Sequence, residues 1–146
     1  MPFRFSLATV LKIRESLEKR EERVLQTIQL EMARVVHQIE ELNAAIARSH
    51  KAREQAMEKP VPAIHLQLLL SQAKAAEETR TMLYQSLRTL EQKRDQQIKV
   101  YQQAHQDRET LTDMSNKQRD LYDQDKARAE QKSLDDIFMA RRHRSQ

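Results

Sequence analysis

The chain has 146 residues, of which only 38% are hydrophobic and 4% aromatic while 33% are charged, and this composition excludes a thick globular core. Glycine and cysteine are absent, which excludes glycine-rich phosphate loops, disulfide bonds and thiolate metal sites because each of these requires one of those residues. The formal net charge is +4, and basic residues outnumber acidic ones at both chain ends, six to four in residues 1–24 and six to three in residues 126–146.

A first helix is predicted over about residues 4–58, because its apolar residues recur at alternating spacings of three and four. This is the pattern of a coiled-coil seam, the line of residues along which two helices face each other. The regular part of the seam consists of Leu25, Ile28, Met32, Val35, Ile39, Leu42 and Ile46. Upstream, Arg14 and Glu21 occupy positions where seam residues are expected, which predicts a weaker seam there. The apolar residues of that stretch lie one position out of phase, at Leu7, Val10, Leu17 and Val24.

The only clear break is the turn at about residues 59–62, where Pro60 and Pro62 push the residues before them out of the helical region. A second helix is predicted over about residues 63–143, starting near Pro62, since the fixed φ of proline suits the first turn. Its seam keeps the period but mixes polar and apolar residues, and contact is in doubt at three arginines, Arg80, Arg94 and Arg108. The seam reads Leu69, Ala73, Ala76, Arg80, Leu83, Leu87, Leu90, Arg94, Gln97, Tyr101, Ala104, Arg108, Leu111, Ser115, Gln118 and Tyr122.

The predicted fold class is all-α: two long helices in an antiparallel coiled-coil hairpin with a C-terminal helical overhang, forming a single domain over residues 1–146. A tight turn near residue 60 pairs position i with about position 121 minus i, so that the chain beyond about residue 117 extends past the first helix. Unpaired apolar residues on this overhang indicate a partner surface, the alternatives being a frayed solvated tail or a self-associating one. They are Leu121, Tyr122, Leu134, Ile137, Phe138 and Met139.

The sequence predicts neither a metal site nor a catalytic site. His37 with Glu41, and His105 with Glu109, have the spacing of two metal ligands on one helix face, but the pairing rule keeps the two pairs apart and supplies no third ligand. A two-helix hairpin also has no concave interior, so we expect no enzyme activity, no cofactor and no direct small-molecule substrate.

The terminal basic run Arg141–Arg144 raises the alternative of a basic helical nucleic-acid binder, whose affinity would fall steeply with salt. The run is short, residues 107–125 beside it carry six acidic against three basic residues, and no aromatic platform is present for base stacking. We therefore expect no nucleic acid among the partners. No stretch is apolar enough for a membrane span or a signal peptide, so a soluble, unprocessed protein is expected.

The two chain ends carry a recognisable pattern. At the start, Phe3-x-Phe5-x-Leu7 is followed by Val10, Leu11, Arg14 and Glu18; at the end stand Leu134, Asp135, Asp136, Ile137 and Arg141 to Arg144. In these motifs, in its length and in its hairpin layout, the chain resembles FliJ, the small coiled-coil component of the bacterial flagellar type III export apparatus. The middle of the chain is generic coiled coil.

The resemblance implies a stalk that enters the pore of the hexameric flagellar export ATPase, promotes ring assembly and activity, and couples the ring to the transmembrane export gate protein. It also implies binding to the regulatory subunit of the ATPase, escort of export chaperones, and a cytoplasmic location peripheral to the inner membrane at the flagellar base. Carried onto this sequence, the ring-facing residues are Phe3, Phe5, Leu7, Val10, Arg14, Leu134, Ile137, Arg141, Arg142 and Arg144. The alternatives are an injectisome-type stalk protein and a generic homodimeric coiled-coil adaptor without an ATPase.

Overall fold

The computed structural model describes residues 2–145. Two helices, α1 (Ala8–Met57) and α2 (Ala63–Arg144), pack against each other as an antiparallel hairpin, and the described residues contain no strand. The all-α fold class is therefore confirmed. Contacts divide the chain into unit 1 (Met1–Arg20 with Gln102–Gln146) and unit 2 (Glu21–Tyr101), which are taken in turn.

Unit 2 contains the regular seam. All seven predicted α1 seam residues, from Leu25 to Ile46, are buried or half-buried, and Ile39 is the most buried of them at 6% exposure. The residues that alternate with them face solvent, as Leu30 does at 56% exposure. Because each helix has a single neighbour, most seam side chains are covered on one side and none of the described charged residues is fully buried. The stability of this unit therefore rests on a narrow apolar line.

The seam of α2 in unit 2 also follows the predicted period, including its arginines. Arg80 is half-buried and its Nη1 lies 3.4 Å from the side-chain oxygen of Asn43 across the seam, within two residues of the partner that the pairing rule assigns. Arg94 is half-buried too, and its guanidinium donates to the neighbouring Asp95 at 3.2 Å. Long arginine stems thus line the seam while their charged ends reach acceptors and solvent.

The connection between the helices spans residues 58–62. At its end the carbonyl oxygen of Pro62 accepts from the amide of Leu66 at 3.2 Å, so that Pro62 immediately precedes the first helical turn, which begins at Ala63. Proline suits this position because the first amides of a helix have no intrahelical acceptor.

Unit 1 begins with a segment that is not helical. The helix α1 starts at Ala8 rather than near residue 4, and within residues 2–7 burial alternates: Phe3 and Leu7 are half-buried, Phe5 is buried at 8% exposure, and Arg4 and Ser6 are exposed. Residues 6 and 7 form a turn in which the Ala8 amide donates to the Phe5 carbonyl at 3.1 Å. Before this turn, a period of two places alternate side chains on one side of the chain, whereas a helix would spread them around its axis. The spacing of Phe3 and Phe5 therefore favours a non-helical segment over an earlier start of α1.

The C-terminal part of unit 1 is a helix without a neighbour. Every residue from 123 to 145 is exposed, although α2 continues to Arg144. The predicted overhang is confirmed, and it ends with Arg141, Arg142, His143 and Arg144 in the last helical turn, where positive charge complements the helix dipole.

Candidate partner-binding surface at the chain ends

The N-terminal segment is held against α2 by aromatic contacts. The ring of Phe3 packs on Tyr122 with centroids 5.6 Å apart, and the guanidinium carbon of Arg119 lies 5.6 Å from the centre of the same ring. Both contacts lie within unit 1. As expected, no helix lies opposite Tyr122, but Phe3 of the segment before α1 covers one of its faces. Leu121 beside it stays 60% exposed.

These contacts border an open groove of about 840 Å³ that is shallow rather than enclosed. Its lining combines apolar side chains with two charged ones, Arg4 and Asp125, which is the composition of a protein-binding surface rather than of a catalytic pocket. The groove is lined by Pro2, Phe3, Arg4, Gln118, Leu121, Tyr122 and Asp125.

The first turns of α1 face α2 through a polar cluster that lies among half-buried leucines, Leu11, Leu17 and Leu111. Arg14 Nη1 lies 3.3 Å from Asp107 Oδ2, which is the partner that the pairing rule assigns to position 14. Glu18 accepts from Arg108 Nε at 2.5 Å and from Arg108 Nη2 at 3.5 Å, and its carboxylate lies 3.2 Å from His105 Nδ1. We name Arg14, Glu18, His105, Asp107 and Arg108 the polar clasp.

The centre of the polar clasp is the pair formed by Glu18 and Arg108. Their side chains are only 17% and 24% exposed, so the pair is more shielded than an ordinary surface salt bridge. The hydrogen bond from Arg108 lowers the pKa of Glu18 below its ordinary value; burial opposes this, and His105 adds to it. The same hydrogen bond raises the pKa of Arg108. Both groups are thus held in their charged forms.

Sequence reasoning names four members of the polar clasp but does not group them: Arg14 and Arg108 are polar residues of the seam, His105 is paired with Glu109, and Glu18 belongs to the N-terminal motif. It does not name their partners on the other helix, although the pairing rule places residue 107 opposite residue 14. The pairing of Glu18 with Arg108 has no sequence signal, because charged residues at this spacing are usual on solvated helix faces. Contact at Arg108, which the sequence leaves in doubt, is made by a cross-helix ion pair.

The ten predicted ring-facing residues all fall in unit 1, but they divide into two groups. In the N-terminal group, Phe5 is buried, Phe3 and Leu7 are half-buried, Arg14 is paired with Asp107, and Val10 is 39% exposed.

The C-terminal group is exposed throughout. Leu134 and Ile137 are 61% and 49% exposed, and the adjacent Phe138 and Met139, absent from the predicted set, are 66% and 63% exposed. The three arginines of the predicted set, Arg141, Arg142 and Arg144, are exposed as well. No contact joins the two groups among those that the structure shows for residues 2–145. At 1.5 Å per residue, Leu134 lies about 18 Å along α2 from Tyr122, which is the α2 residue that Phe3 of the N-terminal group contacts.

The histidine pairs do not build a metal centre. His37 Nε2 lies 3.0 Å from Glu41 Oε1, and His105 Nε2 lies 3.5 Å from Glu109 Oε2, each pair along its own helix. Within residues 2–145 no group of three potential metal ligands comes together. A membrane-spanning helix is likewise not found in this part of the chain.

Comparison with known proteins gives one match. A family model described as "Flagellar FliJ protein" matches residues 3–146, which is nearly the whole chain. Neither the curated proteins nor the solved structures contain a significant match. The family match includes both terminal motifs and the seam between them.

Proposed function

Because this chain belongs to the FliJ family and is a component of the flagellar export apparatus, we propose that it works as the central stalk of the hexameric export ATPase. The family match favours the flagellar machine over an injectisome. In this role the end of the protein formed by unit 1 enters the pore of the ring, promotes its assembly and raises its activity. FliJ proteins are export components and are not known as enzymes. In this proposal ATP hydrolysis therefore takes place in the ring.

The observation that carries the proposal is the exposed C-terminal part of α2. It presents four large apolar side chains, Leu134, Ile137, Phe138 and Met139, at 49–66% exposure, followed by a basic last turn. Leu134, Ile137 and Phe138 are spaced i, i+3 and i+4 and therefore share one face of the helix, and Arg141 continues that face. A helix of this kind gains its apolar burial only from another molecule, and its charge suits an acidic pore.

The N-terminal group of predicted ring-facing residues lies in the same unit and favours the same proposal. Phe5 is buried and fixes the segment before α1, while Phe3 and Leu121 border the groove. Buried Phe5 and paired Arg14 thus position the surface, and the exposed Val10 and the groove-lining Phe3 are available for contact.

The remaining partners follow from the family. We propose that the protein also binds the regulatory subunit of the ATPase, docks on the transmembrane export gate protein, and escorts export chaperones. The corresponding location is the cytoplasm, at the inner face of the membrane at the flagellar base. Cosedimentation with each purified partner tests these contacts one at a time.

The first experiment compares ATP hydrolysis by the cognate export ATPase alone, with the full chain, and with a truncation that ends at Lys126. The full chain is expected to stimulate hydrolysis, and the truncated chain is not, because it lacks the apolar and basic face. Circular dichroism of the truncation controls for loss of the hairpin. No stimulation by the full chain, under conditions where the ring assembles, would overturn the stalk proposal.

A second experiment separates charge from apolar contact. Charge reversal at Arg141, Arg142 and Arg144 to glutamate is expected to weaken stimulation without unfolding the hairpin, since these residues are exposed. The matched control reverses three exposed bases of unit 2, Arg88, Lys93 and Lys99, and has the same net charge. Equal stimulation by both variants would remove the basic tail from the mechanism.

The adaptor alternative predicts a homodimer. A concentration-dependent increase in mass by sedimentation equilibrium, together with no effect on the ATPase, would favour it over the stalk.

A further inference from the structure

The loop end of unit 2 differs in charge from the rest of the chain. Residues 59–76 contain no aspartate or glutamate, although one third of the chain is charged, and their only charged residues at neutral pH are Lys59 and Lys74. The segment includes the connection and the first turns of α2. An acid-free segment with two lysines carries a local net charge of +2, which attracts anionic groups.

The same segment exposes aliphatic side chains on the face of α2 that points away from α1. Ile64 is 80% exposed and Leu68 is 54% exposed, and their i, i+4 spacing makes them neighbours on the helix surface. Leu69, Ala73 and Ala76 are half-buried, which shows that the seam lies on the opposite side. The aliphatic pair is therefore outside the intramolecular packing of unit 2.

Two further apolar residues are exposed in the same part of unit 2. Met57, the last residue of α1, is 63% exposed, and Leu70 is 51% exposed. We define the loop-end surface as Met57, Lys59, Ile64, Leu68, Leu70 and Lys74. It combines four exposed apolar side chains with two lysines; Glu58, between Met57 and Lys59, is the one acidic residue within its span, and residues 59–76 contain none.

We propose that the loop-end surface adsorbs directly to the headgroup region of a bilayer that contains anionic lipid. Its aliphatic side chains enter the boundary between headgroups and acyl chains, and its lysines contact the acidic headgroups. This contact goes beyond the stalk function and does not depend on it. The residues concerned all lie in unit 2, whereas the ring-facing surface lies in unit 1.

The composition of the segment favours lipid over a protein groove. Protein-binding surfaces are enriched in aromatic residues and arginine and depleted of lysine, and residues 59–76 contain neither an aromatic residue nor an arginine. Aliphatic residues beside lysine, without acidic residues, are instead the composition of a helix that lies in a membrane interface. The C-terminal surface of unit 1 has the contrary composition, with Phe138 and three arginines.

The test uses the full chain and unilamellar vesicles of two compositions, phosphatidylcholine alone and equal parts of phosphatidylcholine and phosphatidylglycerol. Flotation with the mixed vesicles is expected, and flotation with phosphatidylcholine alone is expected to be weak. The decisive variant is Ile64→Ser with Leu68→Ser, which should lower partitioning into mixed vesicles about tenfold or more, because two aliphatic side chains are removed from the contact.

Two controls match this variant. Leu30→Ser with Met82→Ser removes two aliphatic side chains of similar exposure, 56% and 67%, from outside the acid-free segment, and is expected to leave partitioning unchanged. Charge reversal of Arg141, Arg142 and Arg144 tests the basic tail, and it is expected to lower partitioning less than twofold. Partitioning that is lost with the tail variant but kept by the Ile64 and Leu68 variant would overturn the proposal.

Fluorescence gives an independent readout, since the chain contains no tryptophan. A tryptophan introduced by Leu68→Trp should shift its emission to the blue on addition of mixed vesicles, and one introduced by Met82→Trp should not. Absence of vesicle binding, combined with loss of export in cells carrying Ile64→Ser and Leu68→Ser, would identify a protein-docking surface instead and overturn the lipid contact. Stimulation of the export ATPase in solution, without lipid, should be unchanged in this variant, so failure of the stalk proposal is recognised separately.

Discussion

Replacement of Glu18 by glutamine removes the charge at the centre of the polar clasp while it keeps the shape of the side chain. Glu18 is 17% exposed and accepts two hydrogen bonds from Arg108, so the variant loses a charge-assisted, partly shielded pair. Such pairs contribute about 1 kcal/mol to the free energy of unfolding, at the upper end of the range for exposed salt bridges. We expect Glu18→Gln to be destabilised by about this amount near neutral pH.

The pH dependence provides the sharper signature. The pKa of Glu18 is lowered in the folded protein from an ordinary value of 4.5, so its stabilising contribution is fully present above that value. As the pH falls through the lower folded pKa, the carboxylate takes up a proton and the contribution is lost. The difference in the free energy of unfolding between wild type and Glu18→Gln should therefore shrink towards zero in acid.

Urea unfolding followed by far-UV circular dichroism at neutral and acid pH measures this difference. Glu22→Gln is the matched control, because Glu22 is an exposed glutamate one helical turn away and its replacement changes the net charge equally. Removal of Arg108 should also lower the free energy of unfolding less in the Glu18→Gln background than in the wild type, since the two residues share one interaction. Equal destabilisation by Glu18→Gln and Glu22→Gln, or a difference that persists in acid, would refute the reasoning.

Three further substitutions test the seam and the N-terminal segment. Ile39→Ala should lower the free energy of unfolding by about 2–4 kcal/mol because Ile39 is 6% exposed, whereas Leu30→Ala at 56% exposure should change it by less than about 0.5 kcal/mol in urea unfolding. Arg80→Leu should raise the midpoint of thermal unfolding by about 2–4 °C by completing the apolar seam; a lower midpoint would show that the contact with Asn43 outweighs the gain in packing. Phe3→Ala should speed amide hydrogen exchange in residues 3–8, including the Ala8 amide that donates to Phe5, without a change in the seam amides; unaltered exchange there would mean that the Tyr122 contact does not hold the segment.

The regular features of the fold are predictable because a coiled coil repeats one interaction. A spacing of three and four identifies the seam from Leu25 to Ile46, and the two prolines identify the turn, so the pairing of distant residues follows from counting. Even the partner of Arg14, Asp107, agrees with that count. Periodicity is a property of the amino-acid sequence alone, which is why counting along the chain is sufficient to find it.

The features that escape prediction depend on contacts between side chains that no period encodes. The burial of Phe5 and the contact of Phe3 with Tyr122 arise from a non-helical segment that folds back on α2, which helical counting does not describe. Gln118 falls on the seam period but is exposed, because α1 begins only at Ala8 and no helical residue lies opposite Gln118. The role of the chain ends follows from their resemblance to a family, since exposed apolar residues indicate that a partner exists but not which one.

The narrowness of the apolar line in unit 2 has an evolutionary consequence. Where only one residue in every three or four touches the other helix, substitutions at the remaining positions change the free energy of unfolding by less than about 0.5 kcal/mol. Selection for folding therefore acts on few positions, and even there it accepts any aliphatic residue, or an arginine that reaches an acceptor as Arg80 does. Over long divergence, such a protein is expected to keep its length and the spacing of its seam residues while most of its amino acids change. Residues preserved on its outer faces would then report directly on the molecules that touch them.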